Sequence, residues 1–267
     1  MPEIGSFFAE RPLIIAHRGA SDVAPENTLA AFEAAIEAGA DGVELDVTRC
    51  ATGEIVVIHD DTVDRTTNGS GQVSGLPFYA LRELDAGSWS GSQYAGQRVP
   101  TLQEVLDLLR HHARVNIEIK SDFVPKIIGR NLRGDGLEEE IAELIRSRSM
   151  QQEVILSSFN PAALVRASRA APEIPRGLLY APDLPLYLAK AWSLPLVRPQ
   201  ALHPHHSLVT DKYVAWARRH GLRIAAWTVD DPEEMCRMAK LSVDAIITNH
   251  PGKLRRVLDE TCPTPGV

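Results

Sequence analysis

The sequence predicts an α/β fold on parallel strands, and the pattern allows two architectures, a (β/α)8 barrel or a doubly wound open sheet. Three observations carry the prediction. Eight short apolar, β-branched runs recur along the chain, with stretches of helical periodicity between them. The 267 residues match the roughly 250 that a barrel of this kind uses as one unit. Polar side chains unusual for strands collect where those runs end, and in a barrel the carboxyl end of the strands is the rim that carries the site.

Taken in order, the first run, 13–16, is wholly apolar and is followed by His17, Arg18 and Gly19. A helical pattern at 28–38 leads to the second strand, 42–47. The run at 55–58 follows too soon for a helical crossover, so it reads as a hairpin return across the turn at 51–54. Residues at about 60–100 are rich in Gly, Ser and Thr without a clear period and read as a small insertion. Beyond it lie helix 102–111, strand 115–119, helix 137–148, strand 154–156 and helix 161–170, then strands at 177–179 and 200–202. Helix 210–220, strand 222–227, helix 232–240 and strand 245–247 complete the series. Pro161 and Pro232 fit first-turn positions, with Asn160 and Asp231 as their caps. The expected organisation is one domain over 1–267, with a tail that frays from about 261.

Composition narrows the function. With 28 Lys+Arg against 35 Asp+Glu the formal charge is −7, so no global positive field exists to gather nucleic acid or an anionic bilayer. An anionic ligand has to be held locally. No basic run ahead of an apolar stretch marks a signal peptide, and no segment reaches the ~18 apolar residues of a membrane span, so a cytoplasmic protein without stable membrane insertion is expected. Cys50, Cys236 and Cys262 lack C-x-x-C spacing and are expected to be free thiols.

Chemistry concentrates at the strand ends. Glu44 and Asp46 are two residues apart, so an extended strand points both to one face, and the same holds for Glu118 and Lys120. If both faces turn inward, Glu44, Asp46 and Glu118 form an all-oxygen site suited to one hard divalent cation, Mg²⁺ or Ca²⁺, with Mn²⁺ as an alternative. The competing reading is a solvent-facing strand whose acids pair with arginines. His17 and His59 each follow an apolar strand and can serve as general base and general acid for phosphoryl transfer. Arg18 and Lys120 can contact non-bridging phosphate oxygens; surface salt bridges are the alternative. Trp227, at a strand end, either packs on a bound ligand or fills the core. Of His203, His205 and His206, only His203 is expected to face the pocket.

The set formed by His17–Gly19 (HRG), Pro25–Thr28 (PENT), Gly39–Asp46 (GADGVELD), His59–Asp60 (HD), Glu118–Lys120 (EIK), Trp227–Val229 (WTV) and Asp244–Thr248 (DAIIT) resembles the glycerophosphodiester phosphodiesterase family in order and spacing. The resemblance spans roughly 13–258. It implies a TIM barrel with a small insertion after the second-strand hairpin. It also implies metal-dependent hydrolysis of glycerophosphodiesters, such as glycerophosphocholine or glycerophosphoethanolamine, to glycerol 3-phosphate and an alcohol through a cyclic phosphate. On this resemblance Glu44, Asp46 and Glu118 become metal ligands, His17 and His59 the acid/base pair, and Arg18 a phosphate contact. Lys120, His203 and Trp227 are carried as further substrate-binding residues. Asn27 and Glu26 lie in the PENT motif, where Asn27 serves either the site or a helix cap. Asn249 and His250, ahead of Pro251, depart from the family's pattern at a rim position that bears on headgroup preference. Two other readings remain open: a lysophospholipase D type enzyme acting on lysophospholipids, and a barrel that binds a phosphorylated ligand without catalysis. The sequence is silent on oligomeric state.

Overall fold

The structure is a computed structural model, and it describes residues 7–8, 12–120, 135–182 and 193–261. Nine strands form one sheet: β1 (Leu13–His17), β2 (Gly42–Arg49), β3 (Ile55–Val57), β4 (Arg114–Ile119), β5 (Val154–Ser158), β6 (Arg176–Tyr180), β7 (Ala201–Pro204), β8 (Arg223–Ala226) and β9 (Ala245–Thr248). All neighbours pair in parallel except β2 and β3, and β1 pairs with both β9 and β2. That second pairing closes the ring. With β3 set aside as an antiparallel appendage, the remaining strands are a closed (β/α)8 barrel, and the open-sheet alternative is excluded.

Helices return the chain between strands: α1 (Leu29–Glu37), α2 (Phe78–Glu83), α3 (Leu102–Leu109), α4 (Leu137–Ser147), α5 (Pro161–Ala170), α6 (Leu194–Val197), α7 (Asp211–Arg219), α8 (Pro232–Lys240) and α9 (Pro251–Thr261). Their starts follow from side-chain chemistry. Thr28, Asn160, Thr210 and Asp231 each accept a hydrogen bond from a first-turn backbone N–H, and Thr101 with Glu104 makes a reciprocal capping box at α3. Pro161 and Pro232 occupy the first turn of α5 and α8. The insertion, which shows no period in sequence, contains α2 and two short 3-10 turns at Val73–Gly75 and Ser92–Tyr94. These pack on the hairpin through Val56, Ile58, Val63, Val73, Leu81 and Val99.

Strand alternation sorts the core. Val43, Leu45, Val47, Val115, Ile117, Ile119 and Leu156 point outward under the helices, with Leu102, Leu106 and Ile141 among their partners. Ile14, Leu178, Leu202, Ile224 and Ile246 do the same on the other half of the ring. Inside, Leu13, Ile15, Ile155, Ala201, Ala225, Ala245 and Ile247 fill the lower barrel together with Phe7 and Phe8. The interior turns polar toward the carboxyl ends, where Glu44, Asp46 and Ser157 are buried. Among the described residues no helix is long and apolar enough to cross a membrane. Among the described residues Cys50 is in no disulfide, and Cys262, like the rest of the tail from 262, lies outside the described residues.

Candidate active site

β2 is the spine of the site. β1 follows one edge of it only as far as His17, which lies opposite Glu44. Beyond that point β3 takes over the same edge from the opposite direction, pairing Val57 with Val47, and Ile58 N–H donates to the Asp46 carbonyl at 3.0 Å. Two chain segments therefore converge on the short gap between Glu44 and Asp46, one ending in His17 and the other leading directly into His59. On the other edge, β4 runs in register and sets Glu118 beside Asp46.

Glu44, Asp46 and Glu118 converge: one carboxylate oxygen from each lies within 4.8 Å of the others. Glu44 and Asp46 are buried, and the Glu118 side chain keeps 12% exposure. Burial, then repulsion from Asp46 and Glu118, pushes the Glu44 carboxyl well above its ordinary range. Burial and Asp46 raise Glu118 to about 7 against the pull of Lys120. Asp46 goes the other way, because Lys120, Arg18, His59 and the Asn27 amide together outweigh its burial. Two cations face the three acids. Lys120 Nζ is 3.2 Å from Glu118 and 3.7 Å from Asp46, and Arg18 Nε is 3.3 Å from Asp46. With all three acids ionised one negative charge is left over, and buried Glu44 Oε1 has no hydrogen-bond partner among the described residues. An all-oxygen, electron-rich donor set with a spare buried oxygen fits a hard divalent cation.

The HRG and PENT segments build the wall beside these acids. Arg18 adopts a left-handed backbone (φ 59°), as does Asn27 (φ 56°), a conformation that costs free energy at a non-glycine residue and collects at sites. Gly19 has φ +84°, and a Cβ there would sit 2.6 Å from the Ala31 carbonyl carbon, so glycine is required. Arg18 N–H donates to Glu44 Oε2 (3.1 Å) and its guanidinium to Glu26 (2.9 Å). Asn27 Nδ2 donates to Asp46 Oδ2 at 2.9 Å, while Thr28 caps α1, which resolves the two uses of Asn27 in favour of the site wall.

The two histidines have unlike supports. His17 Nδ1 is 2.7 Å from Asn249 Oδ1, and its Nε2 is 3.9 Å from Glu44 Oε2. Burial, then Arg18, lowers its pKa to about 4, although 18% of the side chain remains open to the cleft. His59 Nδ1 is 2.6 Å from the Asp60 carboxylate. Arg65 donates to Asp60 (2.6 Å) and to both oxygens of Glu26 (2.8 Å each), so a continuous chain of ion pairs joins His59 to Arg18. The Arg65 hydrogen bond and, after an opposing burial effect, the His59 contact hold Asp60 far below the usual carboxylate range.

β7 stands diametrically opposite β2 in the ring. His203 on β7 is buried, its ring packs over Gly177, and neither ring nitrogen has a hydrogen-bond partner among the described residues. Trp227, just past β8, donates from Nε1 to the His203 carbonyl (2.7 Å) and meets Phe159 and His205 edge to face at 5.4 and 5.6 Å. His206 pairs with Glu234, in the first turn of α8, at 2.7 Å. Sequence reasoning missed Arg65, Asp230 and the function of Asn249. Only Asn249, in its position after the DAIIT strand, carried a signal.

A closed barrel whose rim gathers three acids, two histidines and two cations defines a hydrolase-type site for a phosphorylated ligand. A profile of the glycerophosphoryl diester phosphodiesterase family matches residues 17–253, and the chain belongs to this family of hydrolases. A glycerophosphodiester phosphodiesterase of Caldanaerobacter subterraneus is 42% identical over 91% of this chain and 96% of its own length. One of Bacillus subtilis is 33% identical over 93% and 87%. Among solved structures, an Oleispira antarctica phosphodiesterase in complex with its product sn-glycerol-3-phosphate shares 32% identity and a TM-score of 0.78, covering 94% of this chain and 98% of that one. The glycerophosphodiester phosphodiesterase of Agrobacterium tumefaciens gives 30% and 0.78.

Proposed function

We propose that the protein is a cytoplasmic, metal-dependent enzyme of one catalytic domain that hydrolyses soluble glycerophosphodiesters, such as glycerophosphocholine and glycerophosphoethanolamine, to glycerol 3-phosphate and an alcohol. The observation that carries this reading is the unlike support of the two histidines around one acidic cluster. A neutral amide behind His17 suits a ring that carries one proton and keeps a lone pair, as a general base requires. A carboxylate behind His59, 2.6 Å from Nδ1, can accept from that nitrogen and orient the ring so that Nε2 serves the departing oxygen.

In this scheme His17 Nε2 removes the proton from the glycerol hydroxyl next to the phosphate, and that oxygen attacks phosphorus. The preplaced nucleophile lowers the entropic part of the barrier. His59 Nε2 then protonates the departing alcohol oxygen. Water opens the resulting cyclic phosphate with the roles of the two rings exchanged. Glu44, Asp46 and Glu118 would hold a divalent cation, Mg²⁺, Ca²⁺ or Mn²⁺, whose chemistry is to neutralise charge on the phosphate's non-bridging oxygens. Arg18 and Lys120 orient those oxygens, Trp227 flanks the organic part of the substrate, and His203 supports that wall from below. The insertion at about 60–100 contributes Arg65 to the support of His59.

The test is glycerol 3-phosphate release from a panel of glycerophosphodiesters with each of the three ions. His17→Ala and His59→Ala should each lose at least about 100-fold in turnover while remaining folded. Full turnover in excess EDTA by protein verified to be metal-free, or preference for lysophosphatidylcholine over glycerophosphocholine, would overturn the corresponding part of the proposal.

A further inference from the structure

His17 is held from behind by a two-residue relay that none of the site motifs contains. Asp230 lies four residues beyond the end of β8, and Asn249 directly follows β9; the parallel pairing of those two strands brings the loops together. Asp230 Oδ1 accepts from the Asn249 backbone N–H (2.9 Å) and from Thr248 Oγ1 (3.0 Å), and Asp230 Oδ2 accepts from Asn249 Nδ2 at 2.6 Å. The other end of the same amide, Asn249 Oδ1, faces His17 Nδ1 at 2.7 Å; Ser21 Oγ lies 3.0 Å from it and 3.0 Å from the His17 carbonyl, and its one hydrogen serves either acceptor.

These contacts leave one consistent proton arrangement. A carboxylate only accepts, so the Asn249 amide has to turn its NH2 toward Asp230. The amide oxygen then faces His17 and can only accept, so His17 Nδ1 carries the hydrogen. The opposite amide orientation would set an oxygen against the carboxylate at 2.6 Å, with no hydrogen between them. A neutral imidazole has one N–H, so the lone pair is left on Nε2, the nitrogen that lies toward Glu44 and the acidic cluster. The tautomer follows from the network as a whole.

We propose that Asp230, acting through Asn249, is a positioning residue that locks His17 in its Nδ1–H tautomer and so presents the Nε2 lone pair to the substrate hydroxyl. The proposal rests on the assignment of His17 as general base. It assigns no contact with substrate to either Asp230 or Asn249. The charge stays one residue removed from the ring: the amide transmits orientation from the carboxylate while placing a neutral atom against Nδ1. His59, by contrast, touches its carboxylate directly.

The relay predicts a reversal and a rescue. In Asp230→Asn the new amide oxygen can still accept from the Asn249 N–H and Thr248, but its NH2 now meets Asn249, which has to flip and offer its own NH2 to His17. The ring then moves its proton to Nε2 and loses its function as a base. In the double variant Asp230→Asn/Asn249→Asp, the amide introduced at position 230 donates to the carboxylate introduced at position 249. That carboxylate accepts in turn from His17 Nδ1, which restores the starting tautomer. Turnover of glycerophosphocholine by the full-length enzyme with Mg²⁺ should fall about 100-fold in Asp230→Asn. KM should stay within about threefold, and the double variant should recover at least about tenfold of the loss in kcat. ¹⁵N NMR of the imidazoles should show the His17 proton on Nδ1 in the wild type and the double variant, and on Nε2 in Asp230→Asn. Thermal melts verify that each variant is folded. A wild-type spectrum with the proton on Nε2, undiminished kcat in Asp230→Asn, or a double variant no better than the single would overturn the proposal. The His17→Ala control separates this from the base assignment: wild-type turnover there would remove the catalytic role, whereas the spectrum reports the tautomer regardless of catalysis.

Discussion

Glu118→Gln separates the cost of the acidic cluster from its use. In chelated protein, burial and Asp46 raise the Glu118 carboxyl from 4.5 to about 7. Between those values the native protein holds a proton that the unfolded chain has released, so stability falls as pH rises through the window and stays at the lower level above it. The displacement corresponds to on the order of 3 kcal/mol. Glutamine keeps the shape and an oxygen for Lys120 Nζ, which lies 3.2 Å away, but brings no charge. At pH 8 in EDTA the variant should therefore be the more stable protein by up to that amount, a rise in Tm of roughly 6–12 °C. Saturating Mg²⁺ should reverse the order. A ligand at a thousand times its Kd stabilises by about 4.1 kcal/mol, which the wild type gains and the variant, one carboxylate short, largely does not. Thermal denaturation from pH 4.5 to 8.5, with and without Mg²⁺, measures both effects. A variant less stable than wild type in EDTA at pH 8, or equal responses of the two proteins to Mg²⁺, would refute the reasoning.

Three further outcomes are expected. His59→Ala should lose about 10²–10⁴-fold in turnover on glycerophosphocholine but far less on a glycerophosphodiester with a p-nitrophenol leaving group, which departs without a proton; equal losses on both would remove the general-acid role. Burial lowers His203 to about 3, so the native ring stays neutral while the unfolded one takes a proton below 6.5. Its contribution is intact above pH 6.5 and declines by up to about 1.4 kcal/mol per pH unit on acidification, so urea unfolding of His203→Leu should show a flatter acid limb than wild type. Arg166 donates twice to Glu138, which is 0% exposed between α4 and α5, and Arg166→Ala should destabilise by roughly 3–5 kcal/mol; a change under about 1 kcal/mol in chemical denaturation would count against a buried pair.

The eight barrel strands and their order of appearance could be read from sequence because alternation of apolar residues is a local property. Strand ends were less legible: β5 extends to Ser158 and β2 to Arg49, where polar residues break the apolar run but the ladder continues. Closure was not legible, since it depends on β1 meeting both β2 and β9, a contact between the two ends of the chain. The short turns and α2 of the insertion escaped because they are held by side-chain anchors such as Asp85, which accepts from the backbone of Gly87, Ser88 and Gly96, and not by a periodic face. Within the site, Glu44 and Asp46 were conspicuous because two acids on one face of an otherwise apolar strand need a reason. Arg65 was not, as an arginine in a polar loop has many ordinary uses. The Asp230–Asn249 pair spans two loops, and nothing local marks its members as neighbours.

The hand-over along β2 sets the evolutionary tolerance of the hairpin. The register of β3 is counted from the turn at 50–54, and each residue added or removed there would rotate the approach to His59 onto the opposite side of the ribbon. A new side chain at Ala51, which is exposed, costs little, whereas Gly53 holds φ +107° and favours glycine. Insertions and deletions are expensive at every position of the bend. Drift in this lineage should accordingly rewrite its outward-facing letters while leaving its length alone.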